Sequence, residues 1–520
     1  MKQYHQIFEN MKKSNIGLTG LTDDLFVDYL MDRFETEKKS ILVVTPSLYE
    51  ANQLQKIINY RTNQVYLFPM DDFLTSEAVA ISPDFLITRL ETLTAITHQE
   101  PSIVVTHYMG YTRFLPTPKT YLKSFINLKI DQDISPQDLV QKLTDIGYKR
   151  ETVVTSTGEL GVRGFVLDVF PLGETHPVRI EFFGDTIDSI RYFDEETQKS
   201  LEKIDSISIA PYTEFLTSTK EAAWDSQKYL SLTNDEICNI TSYLDDPIIV
   251  LKDHFQLLET EKTTFHEITE YQNNKDTDFH GKYLFSLEEL PLKNEVYYFT
   301  INNLDSTLKL DEIYQFDAKT ITNFNENIDS INEFLNMSLH QKKTVLIYLK
   351  SFQIQNFVKF LNCPNILTSE DDIHPQMVNI IASERNHGYL YRDFVILTDK
   401  DLFKIQETKH VYKTKFKYAS KIKDINKLQI GDYIVHNVHG IGVYNGIKTL
   451  TKMGLEKDYL EILYAGKDKL YIPVEKIDLI SKYSGNEGMV PKINRLGGSE
   501  WAKTKLRVRN KVKDIAKDLL

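Results

Sequence analysis

Only two cysteines occur in 520 residues, Cys238 and Cys363, and neither has a second thiol at CxxC spacing. A zinc ribbon and a disulfide framework are thereby excluded. Long apolar runs are missing too: none approaches the ~18 to 20 residues that cross a bilayer. The N-terminal MKQYHQIFENMKKSN has no continuous apolar segment of the secretory kind. The chain is therefore expected to be cytoplasmic, with no membrane partner. An excess of positive charge is also absent. The formal net charge is -13, which argues against a dedicated nucleic-acid binder and makes any such contact local. Two places offer one, the acid-free stretch with Lys413, Lys415, Lys417, Lys421 and Lys423, and the cations from Lys503 to Lys513. Flexible lysines in an acidic chain mostly stay solvated, so weak contact at most is expected of the first.

What is present is an ordinary folded chain. Hydrophobic residues make up 41% and charged residues 26%, close to globular averages, and the length predicts about three to four domains. Over residues 1–120, β-branched runs at Ile41 to Thr45, Val65 to Phe68 and Ile103 to Thr106 alternate with amphipathic segments such as Ser47 to Asn59. This is the pattern of a parallel sheet covered by helices. A second unit, 126–212, opens on Ser135-Pro136, an N-cap followed by proline at the first helical position, with the helix ending near Gly147. Alternating strands at Val178 to Phe183 and Ile187 to Phe193 are joined by Gly184-Asp185, a hairpin turn.

Residues 213–330 are polar, and only short elements are assigned there. An αβ pattern returns over 331–408, with Thr344 to Leu349, a helix around Gln353 to Leu361, then Val378 to Ala382 and Phe394 to Thr398. The lysine-rich 409–427 reads as a linker. Glycine-punctuated strands over 428–490 predict a small barrel. Ser499 is placed to cap a last helix, 497–520, with Trp501, Val508, Val512, Ile515 and Leu519 on one face. Its uncapped apolar end leads to the expectation that the sequence continues into a larger protein.

Catalytic signatures are scarce. Gly17-Leu18-Thr19-Gly20-Leu21-Thr22-Asp23-Asp24 stands where a phosphate loop would put Gly-Lys-Thr, and Asp23 and Asp24 repel phosphate. A turn opening a helix is the better reading. His436 and His439 have a metal-like spacing but no third ligand in range, which favours packing. No nucleophile elbow or Cys-His arrangement stands out. Catalytic residues: none are expected, and no metal site.

Specificity comes from longer motifs. Gly158-Glu159-Leu160-Gly161-Val162-Arg163-Gly164-Phe165-Val166-Leu167-Asp168-Val169-Phe170-Pro171, continued by Arg179-Ile180-Glu181-Phe182-Phe183-Gly184-Asp185, resembles the second domain of the excision-repair protein UvrB. Gly431-Asp432-Tyr433-Ile434-Val435-His436, then His439-Gly440-Ile441-Gly442, resembles the Tudor-like barrel shared by CarD-type regulators and the bacterial transcription-repair coupling factors. Asp458-Tyr459-Leu460, Lys469 to Val474 and Leu496 to Trp501 continue that match in order. Together they make the chain resemble the N-terminal half of the coupling-factor family.

The resemblance implies a multidomain α/β architecture: a UvrB-like first domain with a degenerate phosphate loop, a UvrA-binding second domain, and a continuation of that module over 213–330. A small α/β domain, a basic linker, an RNA-polymerase-interacting β-barrel and the start of a helix leading to missing motor domains follow. It implies a factor of transcription-coupled nucleotide-excision repair. UvrA binding falls on Arg163, Arg179 and Phe183, of residue types common at interface hot spots. Binding of the RNA polymerase β subunit falls on an edge strand with Tyr459, Leu460, Glu461 and Ile462. Read from the pattern alone, the alternative is that Phe183 is core and the two arginines are solvated strand positions, and for Leu460 that it is ordinary barrel core. No cofactor is implied for this segment. ATP, magnesium, duplex DNA and ATP-driven translocation belong to the motor domains of the full-length family. Two rivals remain, a stand-alone UvrB-like ATPase, opposed by the missing Gly-Lys-Thr, and a CarD-like regulator, opposed by the Arg163 to Phe183 match.

Overall fold

The computed structural model describes residues 8, 11, 15–70, 83–97, 100–195, 197–216, 236–274, 281–290, 295–300, 304, 308–403, 419–421, 428, 430–436, 439–452, 455–466, 468–473, 480–483 and 493–494. The expected final helix and nearly all of the lysine-rich segment lie outside them. No helix among the described residues is long and apolar enough to cross a membrane. The chain separates into two compact units, Met1–Ile405 and Gln406–Leu520.

In the first unit, seven parallel strands form one sheet in the order Glu312–Gln315, Ile16–Thr19, Val296–Thr300, Ile248–Lys252, Ile41–Thr45, Ile103–His107, Val65–Phe68. Its inner strands read as continuous apolar runs because both faces are covered. Alternate residues of Ile41–Thr45 serve two cores: Ile41 and Val43 face one, Leu42 and Val44 the other. Helices Asp23–Glu37, Leu48–Asn59 and Pro83–Thr97 connect the early strands. Thr22 and Ser47 cap the first two, accepting from the Leu25 and Glu50 amides at 3.2 and 3.3 Å.

An antiparallel module is inserted between Ile103–His107 and Ile248–Lys252. Its six-stranded sheet runs Ser200–Ile204, Thr186–Phe193, Val178–Phe183, Val166–Val169, Glu159–Arg163, Lys149–Arg150, the last pair being parallel. Helix Pro136–Asp145 packs on it, capped by Ser135 with proline in its first turn as the sequence predicts. Leu139 and Leu143 join Leu167, Ile180 and Ile190 in its core. Glu214, fully buried, fixes the end of this module by pairing with Arg89 and Arg113, its Oε1 accepting from Arg89 Nε at 2.6 Å. Burial works against its charge, yet Arg113 and Arg89 hold the carboxyl below the usual range.

A third sheet, in the order Lys319–Thr320, Tyr389–Tyr391, Phe394–Thr398, Thr344–Leu349, Val378–Ala382, Asn365–Thr368, carries helices Ile328–His340 and Ser351–Val358 on one face. Its other face, with Leu346, Tyr348 and Ile396, shares a core with the helix Asp23–Glu37. The polar stretch 213–330 thus feeds both sheets: three of its segments complete the first, and Lys319–Thr320 begins the third.

The second unit holds a six-stranded antiparallel sheet in the order Ala419–Lys421, Ile480–Tyr483, Tyr433–His436, Gly440–Lys452, Leu455–Leu463, Lys469–Pro473. Its core is Ile434, Tyr444, Leu460, Ile462, Tyr464, Ile472 and Ile480. Ala419–Lys421, expected to be linker, is therefore an edge strand.

Candidate protein-binding surfaces

The would-be phosphate loop is a packing joint. Gly20 takes a left-handed backbone, φ 71°, and a Cβ there would lie 1.9 Å from the Phe316 carbonyl oxygen, so the glycine serves close approach of two chain segments. The helix start that would meet phosphate carries its own carboxylates. Asp23 pairs with Lys252 at 3.2 Å. Asp24 Oδ1 accepts the His387 amide at 3.0 Å, and Asn386 Nδ2 lies 3.4 Å from Oδ2. Burial raises Asp24 to about 6. One turn on, buried Asp28 accepts from Arg385 Nη1 at 3.0 and 2.8 Å, from the Tyr389 hydroxyl at 2.6 Å, and pairs with Arg61. Arg385 in turn donates to Glu370 at 2.9 Å and stacks 4.0 Å from the Tyr348 ring. These contacts couple the first helix to the 385–389 loop of the third sheet.

The inserted module brings two of the three expected UvrA-contact residues to its surface. Arg163 ends the strand Glu159–Arg163, is exposed, and reaches only the Thr152 carbonyl, at 3.3 Å. Phe183 ends Val178–Phe183 and is 83% exposed. Alternation along that strand puts Ile180 and Phe182 in the core and Arg179, Glu181 and Phe183 on the other face. Arg179 is different. Its Nε and Nη2 donate to Asp168 Oδ1 and Oδ2 at 2.7 and 2.9 Å, and its guanidinium lies 4.4 Å from the Phe193 ring centroid. Asp168 is only 4% exposed. Arg179, expected beside them as a UvrA contact, is thus tied into the sheet and only partly exposed. Glu181 and Arg191 form a further ion pair on this face. Phe165, 64% exposed, is not predicted as a contact; its signal in the sequence is an aromatic directly after the turn glycine Gly164.

In the second unit the expected polymerase strand needs correction. Tyr459 to Leu463 is hydrogen-bonded to Gly440–Lys452 on one side and to Lys469–Pro473 on the other, so it is no edge. Leu460 and Ile462 are fully buried in the core, and Glu461, on the opposite face, is buried as well. Lys469, 2.7 Å away, Asn445 and Lys448 hold the Glu461 carboxyl down at about 2. Tyr459 alone of the four is partly exposed.

The accessible backbone lies elsewhere. Tyr433–His436 meets the long strand Gly440–Lys452 over Gly440 to Val443, and Lys469–Pro473 meets Leu455–Leu463 over Tyr459 to Leu463. Past a bulge between Tyr444 and Ile447, residues 449–452 and 455–458 therefore form a two-stranded ribbon with open edges among the described residues. Ile447 is 47% exposed at its base, and Ile430, also exposed, abuts Gly446. His436 is buried and stacked on His439 at 4.6 Å, with the His439 amide donating to His436 Nδ1 at 3.2 Å. Burial pushes it down to about 3, so it packs as a neutral ring.

Comparison with known proteins matches these two regions to two families. Residues 126–215 match the UvrB interaction domain, and residues 428–484 match the CarD-like/TRCF RID domain. Transcription-repair-coupling factors align along the whole length: that of Bacillus subtilis is 31% identical over 581 residues, covering 99% of this chain and 49% of the relative. That of Staphylococcus haemolyticus is 29% identical, covering 100% and 49%, and one from Staphylococcus aureus is 28% identical, covering 98% and 48%. The chain thus spans about half the length of the curated relatives it matches. It joins a region that matches the UvrB interaction domain to one that matches the CarD-like/TRCF RID domain, and is similar, from end to end, to about one half of the transcription-repair-coupling factors.

Proposed function

We propose that this chain is the recruiting part of a transcription-coupled nucleotide-excision repair factor, binding UvrA through the inserted module and the RNA polymerase β subunit through the 428–484 domain. The observation that carries this reading is the pairing, in one chain, of an arginine and aromatic hairpin surface with a small β domain whose ribbon has open edges. Arginine and phenylalanine side chains standing free of their own fold are the usual centres of protein interfaces. An open ribbon accepts a partner strand through backbone hydrogen bonds, with neighbouring side chains giving selectivity. On this reading Arg163 and Phe183 touch UvrA, with Arg179 supporting them. Polymerase docks at the ribbon near Ile447 in place of the buried Leu460.

The work of this segment is binding. An ATPase would need Gly-Lys-Thr where Asp23 and Asp24 stand. ATP, magnesium, duplex DNA and translocation along it are assigned to the part of the full-length family outside this chain. The test is capture of UvrA and of polymerase β subunit by the purified chain. Arg163→Ala and Phe183→Ala should each weaken UvrA capture by about thirtyfold and leave polymerase capture intact. Normal UvrA capture by both variants rejects the surface.

A further inference from the structure

The two hairpin tips of the inserted module present more than the contact just proposed. Arg163 pairs with Val166 and Phe183 with Thr186, so each hairpin turns over two residues, Gly164-Phe165 and Gly184-Asp185. The leading glycines have left-handed backbones, φ 61° and 65°, while Phe165 and Asp185 are absent from the positive-φ residues. This is the hairpin turn with glycine at its first central position, whose twist matches the flanking strands. A Cβ on either glycine would meet nothing within 4 Å, so both tips stand clear of the rest of the fold.

Backbone pairing sets the tips side by side. The Phe182 amide donates to the Phe165 carbonyl at 2.9 Å, and Val166 pairs with Glu181 across the strands. Phe165 is therefore held against the end of the strand that terminates in Phe183. Both rings are largely exposed, as is Arg163. Single exposed apolar side chains are common, but two aromatics on adjoining tips beside a guanidinium have the composition of an interface centre.

We propose that Phe165 is a second aromatic contact residue of this surface, and that the partner offers the two rings an apolar recess whose rim carries a carboxylate opposite Arg163. The proposal rests on the reading that this module docks on UvrA. It commits to chemistry with a distinct salt response: ring contacts are insensitive to ionic strength, whereas the arginine contribution is screened.

The test titrates UvrA against the full 520-residue chain at ~50 and ~300 mM salt, with thermal melts alongside. Phe165→Ala should lose about tenfold or more in affinity at both salt levels, with an unchanged melt because the ring is exposed. Phe165→Leu should recover part of the loss. Arg163→Ala should lose affinity mainly at low salt. If Phe165→Ala binds like the parent chain while Phe183→Ala or Arg163→Ala is weakened, Phe165 is no contact and the UvrA reading stands. If the parent chain fails to bind UvrA, both fall. If Phe165→Ala lowers the melt and Phe165→Leu restores the melt and full binding together, the residue acts through the fold and the proposal is overturned.

Discussion

At Arg179 the residue type that marks an interface serves the fold. Truncation to alanine leaves Asp168 buried with a charge and no guanidinium. Breaking such a pair costs several kcal/mol when fully buried, less where one partner is 17% exposed as Arg179 is. Arg179→Ala is expected to cost about 2 kcal/mol, read as a lower urea midpoint, while Arg163→Ala leaves the midpoint unchanged. Equal midpoints for the two would refute the assignment. A second residue-scale expectation concerns pH. Asp24 is raised by burial to about 6, so its buried charge is a cost above that pH that is relieved on acidification. His387 is raised by its hydrogen bond to Asp401, so its contribution is present at low pH and lost as pH rises through its folded value. Both signs agree: the joint between the first helix and the 385–389 loop is firmer near pH ~5.5 than near pH ~8. Thermal melts across that window should rise towards acid, and Asp24→Asn and His387→Gln should each flatten the slope. A slope unchanged in both variants would locate the dependence elsewhere.

Elements decide which side chains a partner can reach. Leu460 belongs to a strand flanked on both sides, and Leu460→Arg puts an unpaired charge into a small core, a change expected to exceed ~4 kcal/mol. The 428–484 domain should then lose its protease resistance together with polymerase binding. Ile447→Glu changes an exposed side chain, costs within about 0.5 kcal/mol, and should weaken polymerase binding with the fold intact. Retained binding in a folded Ile447→Glu chain would move the contact off the ribbon. None of this order is written locally. Alternation shows that Tyr459 to Tyr464 is a strand with two apolar faces, but whether it is an edge depends on Lys469–Pro473 coming back beside it. Ile41 to Thr45 and Ile103 to Thr106 are plain in the sequence because both faces are buried and every residue is apolar or β-branched. The runs Ile248–Lys252 and Val296–Thr300 carry the same signal inside a polar stretch, where their partners are remote.

Over the whole molecule, the candidate site was legible where it is compact: Arg163 and Phe183 lie in one continuous motif. Asp28 and Arg385, separated by 357 positions, give no sequence signal of their union, and neither does the docking of His387 on Asp24. That docking also bears on nucleotide. With the helix start occupied by its own carboxylates, ATP with magnesium should leave the thermal melt of this chain unmoved, since a ligand bound to the folded state alone would raise it. A clear upward shift would restore the ATPase alternative.

The strand order of the first sheet has a consequence during synthesis. Ile16–Thr19 leaves the ribosome early, yet its sheet neighbours on either side are Val296–Thr300 and Glu312–Gln315. At ~5–20 residues per second it waits some tens of seconds for them. The inserted module, whose strand pairings among the described residues lie between Ile126 and Ile209, can close before its host is complete. Meanwhile Ile41–Thr45, Val65–Phe68 and Ile103–His107 stand as a partial sheet with an apolar open flank until Ile248–Lys252 arrives. A nascent chain arrested in the polar stretch after the module should therefore engage holdase chaperones through those three strands, while already presenting, in finished form, the surface proposed to bind UvrA.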